Sequence, residues 1–80
     1  MSYSVRVSSV LTALRKAQDR SVYAVAKGTT VPRSVIDRLE RDAKDAKLWQ
    51  LEALAEFYGL PTVSDLLLLA AVERNQSNAA

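Results

Sequence analysis

The 80-residue chain contains neither cysteine nor histidine. Their absence excludes disulfides, thiolate nucleophiles, zinc sites built on Cys or His ligands, and acid–base catalysis by imidazole. Glycine and proline occur only twice each, and the sequence shows no glycine-rich phosphate loop, catalytic carboxylate pair or nucleophile–base set. We therefore expect no enzyme activity, no cofactor and no metal site.

Long apolar runs are also lacking. The longest, residues 66–72, is far shorter than the roughly 20 residues of a membrane span, and residues 1–10 contain no apolar segment typical of a signal peptide. With 49% hydrophobic and 25% charged residues, the composition favours a compact helical protein. We expect a soluble, cytoplasmic protein with one domain at 1–74 and a disordered polar tail at 75–80.

The net charge is only +2, but the charges are unevenly distributed. Residues 15–47 hold nine of the eleven basic side chains and five acidic ones, which gives +4. Residues 48–80 hold one basic and four acidic side chains, which gives −3. This polarity is expected if one face of the protein meets phosphate and another does not.

The spacing of apolar residues predicts an all-α fold of five helices. The first begins after a cap at Ser8 or Ser9 and ends near residue 19, and the others span about 22–28, 32–42, 47–58 and 63–73. Ser21 is predicted to cap the second helix and Pro32 to lie in the first turn of the third. The fourth helix is expected to end at Gly59 and to bury the residues of its main apolar stripe: Leu48, Leu51, Leu54, Ala55 and Tyr58.

Two smaller features complete this prediction. Thr62 followed by Asp65 is typical of a capping box that opens the fifth helix. Near the N-terminus, Tyr3, Val5 and Val7 alternate with polar residues, which is a strand pattern without an obvious partner in the chain. A short strand and a frayed arm are equally consistent with it.

The second and third predicted helices are short and joined by a tight turn. At 100° per residue, Val35, Ile36 and Leu39 lie on one side of the third helix. The opposite side carries polar and charged residues, with Arg33 at its edge: Ser34, Asp37, Arg38 and Arg41. A helix with an apolar back and an arginine-rich front can place side chains against base edges in the major groove.

Residues 21–41 resemble the helix-turn-helix of the Cro/C1-type (XRE, lambda-repressor-like) regulators. The matching positions are Val25, Ala26, Val31, Ile36, Leu39 and Glu40, and residues 54–60, Leu-Ala-Glu-Phe-Tyr-Gly-Leu, resemble the fourth helix of that family. The resemblance covers about residues 8–70 and implies a compact lambda-repressor-like domain. Thr30 replaces the glycine of the turn, which the turn accommodates if Thr30 adopts a left-handed or adjusted conformation at a cost of roughly 1 kcal/mol. Val22 replaces a glutamine and Asp42 a glycine.

By this resemblance four residues occupy base-reading positions: Arg33, Ser34, Asp37 and Arg38. Arginine pairs with guanine O6 and N7, and aspartate accepts from cytosine N4; the alternative is that these are ordinary solvated charges. Six residues are candidates for phosphate contacts, each with a plain surface role as the alternative: Ser21, Tyr23, Lys27, Arg41, Lys44 and Lys47. Arg15 and Glu40 are expected to form a partly buried ion pair between the first and third helices.

The C-terminal half has more apolar surface than a monomer needs. Trp49, Ala53 and Phe57 recur every fourth residue away from the main stripe of the fourth helix, and residues 66–72 are apolar around the whole helix. The candidates for a dimer contact are Trp49, Phe57, Leu66, Leu67 and Leu69. The alternative is that these side chains pack within one chain.

Two functions are consistent with these features. The first is a sequence-specific transcriptional regulator, of the phage-type or Cro-like repressor kind, that binds a pseudo-palindromic operator in double-stranded DNA as a homodimer. The second is a protein-interaction module, an antitoxin or adaptor that keeps the helix-turn-helix fold and masks a partner through its apolar surfaces.

Overall fold

The computed structural model describes the backbone of residues 3–79 and the side chains of residues 3–72. Five helices follow one another along the chain: α1 at Tyr3–Ala17, α2 at Val22–Thr29, α3 at Arg33–Arg41, α4 at Leu48–Phe57 and α5 at Val63–Ala79. No strand occurs within residues 3–79. The prediction of an all-α, five-helix fold is therefore confirmed.

The N-terminal segment differs from both alternatives, because residues 3–7 form the first turns of α1. The alternating pattern is too short to define a strand without a partner, whereas helical spacing brings Val7, Val10 and Leu11 into the core. The Tyr3 hydroxyl also donates a hydrogen bond to the carbonyl oxygen of Leu67 in α5, at 2.7 Å. The predicted strand and arm are wrong, and α1 begins at Tyr3, six residues before the first residue of a helix capped by Ser8.

Three of the predicted helix ends are confirmed. The Ser21 hydroxyl accepts the Ala24 N–H at 3.0 Å and caps α2. Gly59 has a φ of 84° just after α4, and the Leu60 N–H donates to the Ala55 carbonyl at 2.8 Å, the bond that closes a Schellman motif. At the start of α5, the Thr62 N–H donates to the Asp65 carboxylate at 3.1 Å.

The core lies where the five helices meet. Its fully buried side chains come from every helix and from the turn between α2 and α3, and the largest of them are Leu11, Ile36, Leu39, Leu54, Leu66, Val25 and Val31. Leu48 does not join them, since 64% of its surface is exposed. The prediction that Leu48 is buried is wrong because this first residue of α4 lies at the edge of the helix's apolar stripe.

Helix packing holds the short pair α2 and α3 from two directions. α1 packs against α3 and α5, while α2 packs against α3 and α4. No helix within the described residues has the length and apolar content to cross a membrane. The division into a domain at 1–74 and a tail at 75–80 stays a prediction: the backbone of α5 continues to Ala79, and Ala80 lies outside the described residues.

Candidate nucleic-acid interface

The turn between α2 and α3 depends on a threonine in a left-handed conformation. Thr30 has φ 64° and ψ 5°, which is the left-handed one of the two alternatives that the sequence left open at this position. The Thr29 hydroxyl donates to the Val25 carbonyl at 2.7 Å and accepts the Val31 N–H at 3.2 Å. Side-chain hydrogen bonds therefore fix the path of the backbone where many turns use glycine.

α3 begins immediately after this turn. Pro32 is its N-cap residue, one position before the first turn in which it was predicted, with a φ of −58°. Its carbonyl oxygen accepts the Val35 and Ile36 N–H groups, both at 3.0 Å. With Val31 and Ile36 fully buried on either side of the proline, the start of α3 is fixed against the core.

The four predicted base-reading residues share the outer face of α3. Arg33, Ser34 and Arg38 are exposed and Asp37 is half-buried. Within residues 3–72, neither arginine forms an ion pair or a hydrogen bond. Their guanidinium groups, on residues about 1.4 turns apart along the helix, are therefore available to an external acceptor.

The opposite side of α3 is attached to α1 by polar contacts. Arg15 donates from Nε to Oε2 of Glu40 at 2.8 Å and from Nη2 to Oε1 at 3.0 Å, and both side chains are largely shielded from solvent. The hydrogen bond to Glu40 raises the pKa of the Arg15 guanidinium above its ordinary value. The predicted ion pair between the first and third helices is confirmed, and its two parallel bonds set the rotation of α3 about its axis.

A second contact between α1 and α3 involves a residue that was predicted to be a cap. Ser8 lies inside α1, is 1% exposed, and donates its hydroxyl hydrogen to the Leu39 carbonyl, with the Ser4 carbonyl at 3.1 Å. Leu39 is in the last turn of α3, where backbone carbonyls have no partner within the helix. Ser8 thus satisfies one of these carbonyls from a neighbouring helix.

The six predicted phosphate-contacting residues are all exposed but fall into two groups. Ser21, Tyr23 and Lys27 belong to α2 and its cap, whereas Arg41, Lys44 and Lys47 lie at the end of α3 and in the segment leading to α4. The Ser21 hydroxyl, which accepts the Ala24 N–H, retains its own hydrogen for donation. One group therefore belongs to α2 and its cap, and the other to the end of α3 and the segment that follows it.

An open depression lies between α2 and the start of α3, and sequence reasoning did not identify it. Carbon atoms dominate its lining, which comprises Tyr23, Ala26, Lys27, Thr30, Val31, Pro32 and Arg33. The spacing 23, 26, 27 and 30 is that of one helix face, which is the signal that would have revealed it. Lys27 and Arg33 place positive charge on this otherwise apolar surface.

Phe57 fixes α2 against α4. Its ring lies over Gly28, so closely that a Cβ atom at position 28 would stand 2.4 Å from the nearest ring carbon. The Arg20 guanidinium carbon lies 5.6 Å from the centre of the same ring, within the range of a cation–π contact. Phe57, a candidate for dimer contact, is therefore half-buried within its own chain.

The other dimer candidates have different environments. Leu66 is fully buried in the core and is withdrawn as a surface contact, while Leu67 is partly buried against the core. Trp49 is 50% and Leu69 39% exposed. Sequence reasoning missed two further exposed side chains, Leu68 and Val72; their spacing of four residues, opposite Leu66 on the helix, was the available signal.

No three His, Cys, Asp or Glu side chains within residues 3–72 lie close enough together to hold a metal ion.

A family model for a helix-turn-helix domain matches residues 6–68. This match covers well over half of the 80 residues, and the chain therefore belongs to the helix-turn-helix domain family. No curated protein and no solved structure matches the chain significantly.

Proposed function

We propose that this protein is a sequence-specific transcriptional regulator that binds double-stranded DNA with α3 in the major groove. The observation that carries the proposal is the contrast between the two sides of α3. Glu40 and Leu39 are engaged by α1, while Arg33 and Arg38 face solvent without a partner among the described side chains. A helix held rigidly from behind with free guanidinium groups in front is suited to direct base recognition.

Each residue of the outer face has a distinct role in this proposal. Arg33 and Arg38 donate two hydrogen bonds each to guanine O6 and N7, and Asp37 accepts from cytosine N4. Ser34 donates or accepts, as the base requires. Phosphate contacts fix the register on the duplex without reading sequence. They come from the two exposed groups: Ser21, Tyr23 and Lys27 in the first, and Arg41, Lys44 and Lys47 in the second.

Exposed apolar residues on α5 support a homodimer. Leu68, Leu69 and Val72 are exposed by 61%, 39% and 48% on the side of α5 that faces away from the core. Two copies that bury this face together would present two α3 helices to successive major grooves, and a pseudo-palindromic operator follows from that symmetry. Occupying such an operator blocks access to a promoter, which is the Cro-like repressor function.

The test is the affinity for a DNA site selected from random duplexes, measured at several salt concentrations. Arg33→Ala and Arg38→Ala should each weaken binding by about 1 to 3 kcal/mol and relax the preference at one base pair. Lys44→Ala should weaken binding evenly across sequences and reduce the salt dependence by about one counterion. Arg6→Ala, which removes an arginine from α1, serves as the matched control.

Two results would contradict the proposal. Affinity that does not change with salt would exclude phosphate contacts, and affinity that is unchanged in both arginine variants would exclude base reading by α3. Neither result is expected of a protein that uses these side chains.

One observation favours a second function, an antitoxin or adaptor. Leu48 and Trp49 are neighbouring large apolar side chains at the start of α4, exposed by 64% and 50%. An apolar surface of this kind outside the DNA-facing helices can bind a partner protein. Stoichiometric co-purification of one protein that is lost on Trp49→Ser, together with weak sequence-blind DNA binding, would favour this function over the first.

A further inference from the structure

The depression between α2 and the start of α3 has an unusual position for an apolar surface. Tyr23 is 63% exposed, and it lines the depression together with Ala26, Thr30 and Pro32. The floor is Val31, which is almost fully buried. In the free protein, the apolar surfaces of Tyr23 and Pro32 next to Arg33 are exposed to water, which is unfavourable. A ligand that covered these surfaces would remove this free-energy cost.

The charged members of the lining indicate how DNA would lie across it. Lys27 is a phosphate candidate and Arg33 a base-reading candidate, and both contribute to the same depression. A duplex bound by both residues would therefore have a backbone phosphate at Lys27 and a base edge at Arg33. The rings of Tyr23 and Pro32 would then face the groove near that base.

The C5 methyl group of thymine is the main apolar group that base edges present in the major groove. The other groups that distinguish the bases there are hydrogen-bond donors and acceptors, including O4 of thymine. A phosphate or an exocyclic amine at this carbon-lined surface would lose hydration without gaining a hydrogen bond. The methyl group loses nothing and buries its own surface.

We propose that the depression formed by Tyr23, Ala26, Thr30, Val31 and Pro32 recognises the C5 methyl group of a pyrimidine adjacent to the base pair read by Arg33. The inference rests on the proposed DNA-binding function and adds a specificity that the α3 side chains alone do not supply. Thymine and 5-methylcytosine share this methyl group, and the experiment separates them.

The experiment replaces each thymine of the selected site by uracil, one at a time, which removes only the methyl group. One replacement next to the guanine read by Arg33 should weaken binding about fourfold, the effect of burying one methylene-sized group. Replacing that thymine by 5-methylcytosine, paired with guanine, tests whether the methyl group alone is sufficient. Tighter binding than to unmethylated cytosine at the same position is expected.

Protein variants assign the effect to the depression. Tyr23→Ser should make thymine and uracil nearly equivalent, whereas Tyr23→Phe keeps the ring and should keep the fourfold difference. Tyr3→Ser, at the exposed tyrosine of α1, is the matched control and should leave the difference unchanged. Arg33→Ala should relax the preference for guanine while the response to uracil persists.

The outcomes separate this inference from the function on which it rests. Selective binding that is indifferent to every uracil replacement overturns methyl recognition. A response to uracil that survives Tyr23→Ser unchanged overturns the assignment of that recognition to the depression. Neither result affects the proposed DNA-binding function. Absence of salt-dependent, sequence-selective binding overturns both that function and the inference.

Discussion

At the scale of single residues, Tyr58 is a buried polar side chain whose hydroxyl has an unfavourable environment. It is 5% exposed, and its hydroxyl has no hydrogen-bond partner among the described residues. Burial raises its pKa to about 12 from 10.0, with a smaller contribution from the nearby Glu40 carboxylate. A buried hydroxyl without a hydrogen bond lowers the free energy of unfolding, and an aromatic ring without the hydroxyl would avoid this loss.

We expect Tyr58→Phe to raise the free energy of unfolding by about 1 kcal/mol at neutral pH, because the unpaired hydroxyl is removed and the ring packing is kept. Between about pH 10 and pH 12, unfolded Tyr58 loses its proton while folded Tyr58 keeps it, so the wild-type free energy of unfolding decreases as pH rises. The variant should lose this part of the alkaline decrease. Chemical denaturation at several pH values measures both effects.

Tyr3→Phe provides the comparison for this prediction. It removes a hydroxyl that does have a partner, the Leu67 carbonyl, and should reduce stability slightly at an exposed position. Equal effects of the two substitutions would contradict the account of Tyr58.

Thr30 gives a second prediction at this scale. A left-handed conformation costs an L-residue about 1 to 2 kcal/mol, and glycine avoids this cost but loses more backbone entropy on folding. Thr30→Gly should therefore raise the free energy of unfolding by up to about 1 kcal/mol. Ser64→Gly, at an exposed position inside α5, should lower it by about 0.5 to 1 kcal/mol, and thermal denaturation distinguishes the two signs.

Local features such as these were predictable from the sequence. The caps at Ser21 and Thr62, the end of α4 at Gly59 and the left-handed Thr30 depend on partners within five residues along the chain. The role of Ser8 was not predictable, because the Leu39 carbonyl lies 31 residues away. The same residue type serves as a cap or as an interhelical donor according to what packs beside it.

At the scale of helices, the contact between Gly28 and Phe57 sets the distance between α2 and α4. A Cβ atom at position 28 would overlap the ring, and overpacking of this kind typically costs 1 to 3 kcal/mol. Gly28→Ala should destabilise the fold by about that amount, even though alanine is the better helix former. Urea denaturation measures the loss.

A second substitution tests the cause of this loss. Phe57→Leu removes the ring atoms that meet the new Cβ, so the cost of Gly28→Ala should be smaller in that background. Additive effects of the two substitutions would indicate that the ring is not responsible.

The ends of the helices show where sequence patterns fail. Alternation of Tyr3, Val5 and Val7 predicted a strand or an arm. The same Val7, however, also has helical spacing to Val10 and Leu11, and all three are buried in the core side of α1. The partner that decides is α5, whose Leu67 carbonyl receives the Tyr3 hydroxyl. Packing between distant segments, which single-sequence periodicity does not contain, determined the outcome.

At the scale of the whole molecule, charge and apolar surface separate along the chain. Residues 15–47 carry a net charge of +4 and include the candidate interface, whereas the exposed apolar residues Leu68, Leu69 and Val72 lie in α5. This arrangement allows two copies to associate through α5 without bringing the basic segments into the contact.

We expect Leu68→Glu to shift the protein from dimer to monomer without loss of folding, because this side chain is exposed in the single chain. The affinity for a two-fold symmetric site should fall, while binding to a single half-site is retained. Sedimentation velocity measures the association. Ala13→Glu adds the same charge at an exposed position of α1 and should leave association intact; loss of association in both variants, or in neither, would contradict a dimer through α5.

The contacts of Ser8 and Arg15 with α3 also limit how the protein can be engineered. Both side chains come from α1 yet determine how a helix 25 to 31 residues further along the chain is held. A peptide cut from residues 21–41 would lack them, and the same segment grafted onto another scaffold would lose its orientation. Redesign of the proposed DNA specificity is therefore best done by exchanging the outer side chains of α3 in place, with positions 8, 15, 39 and 40 left as they are.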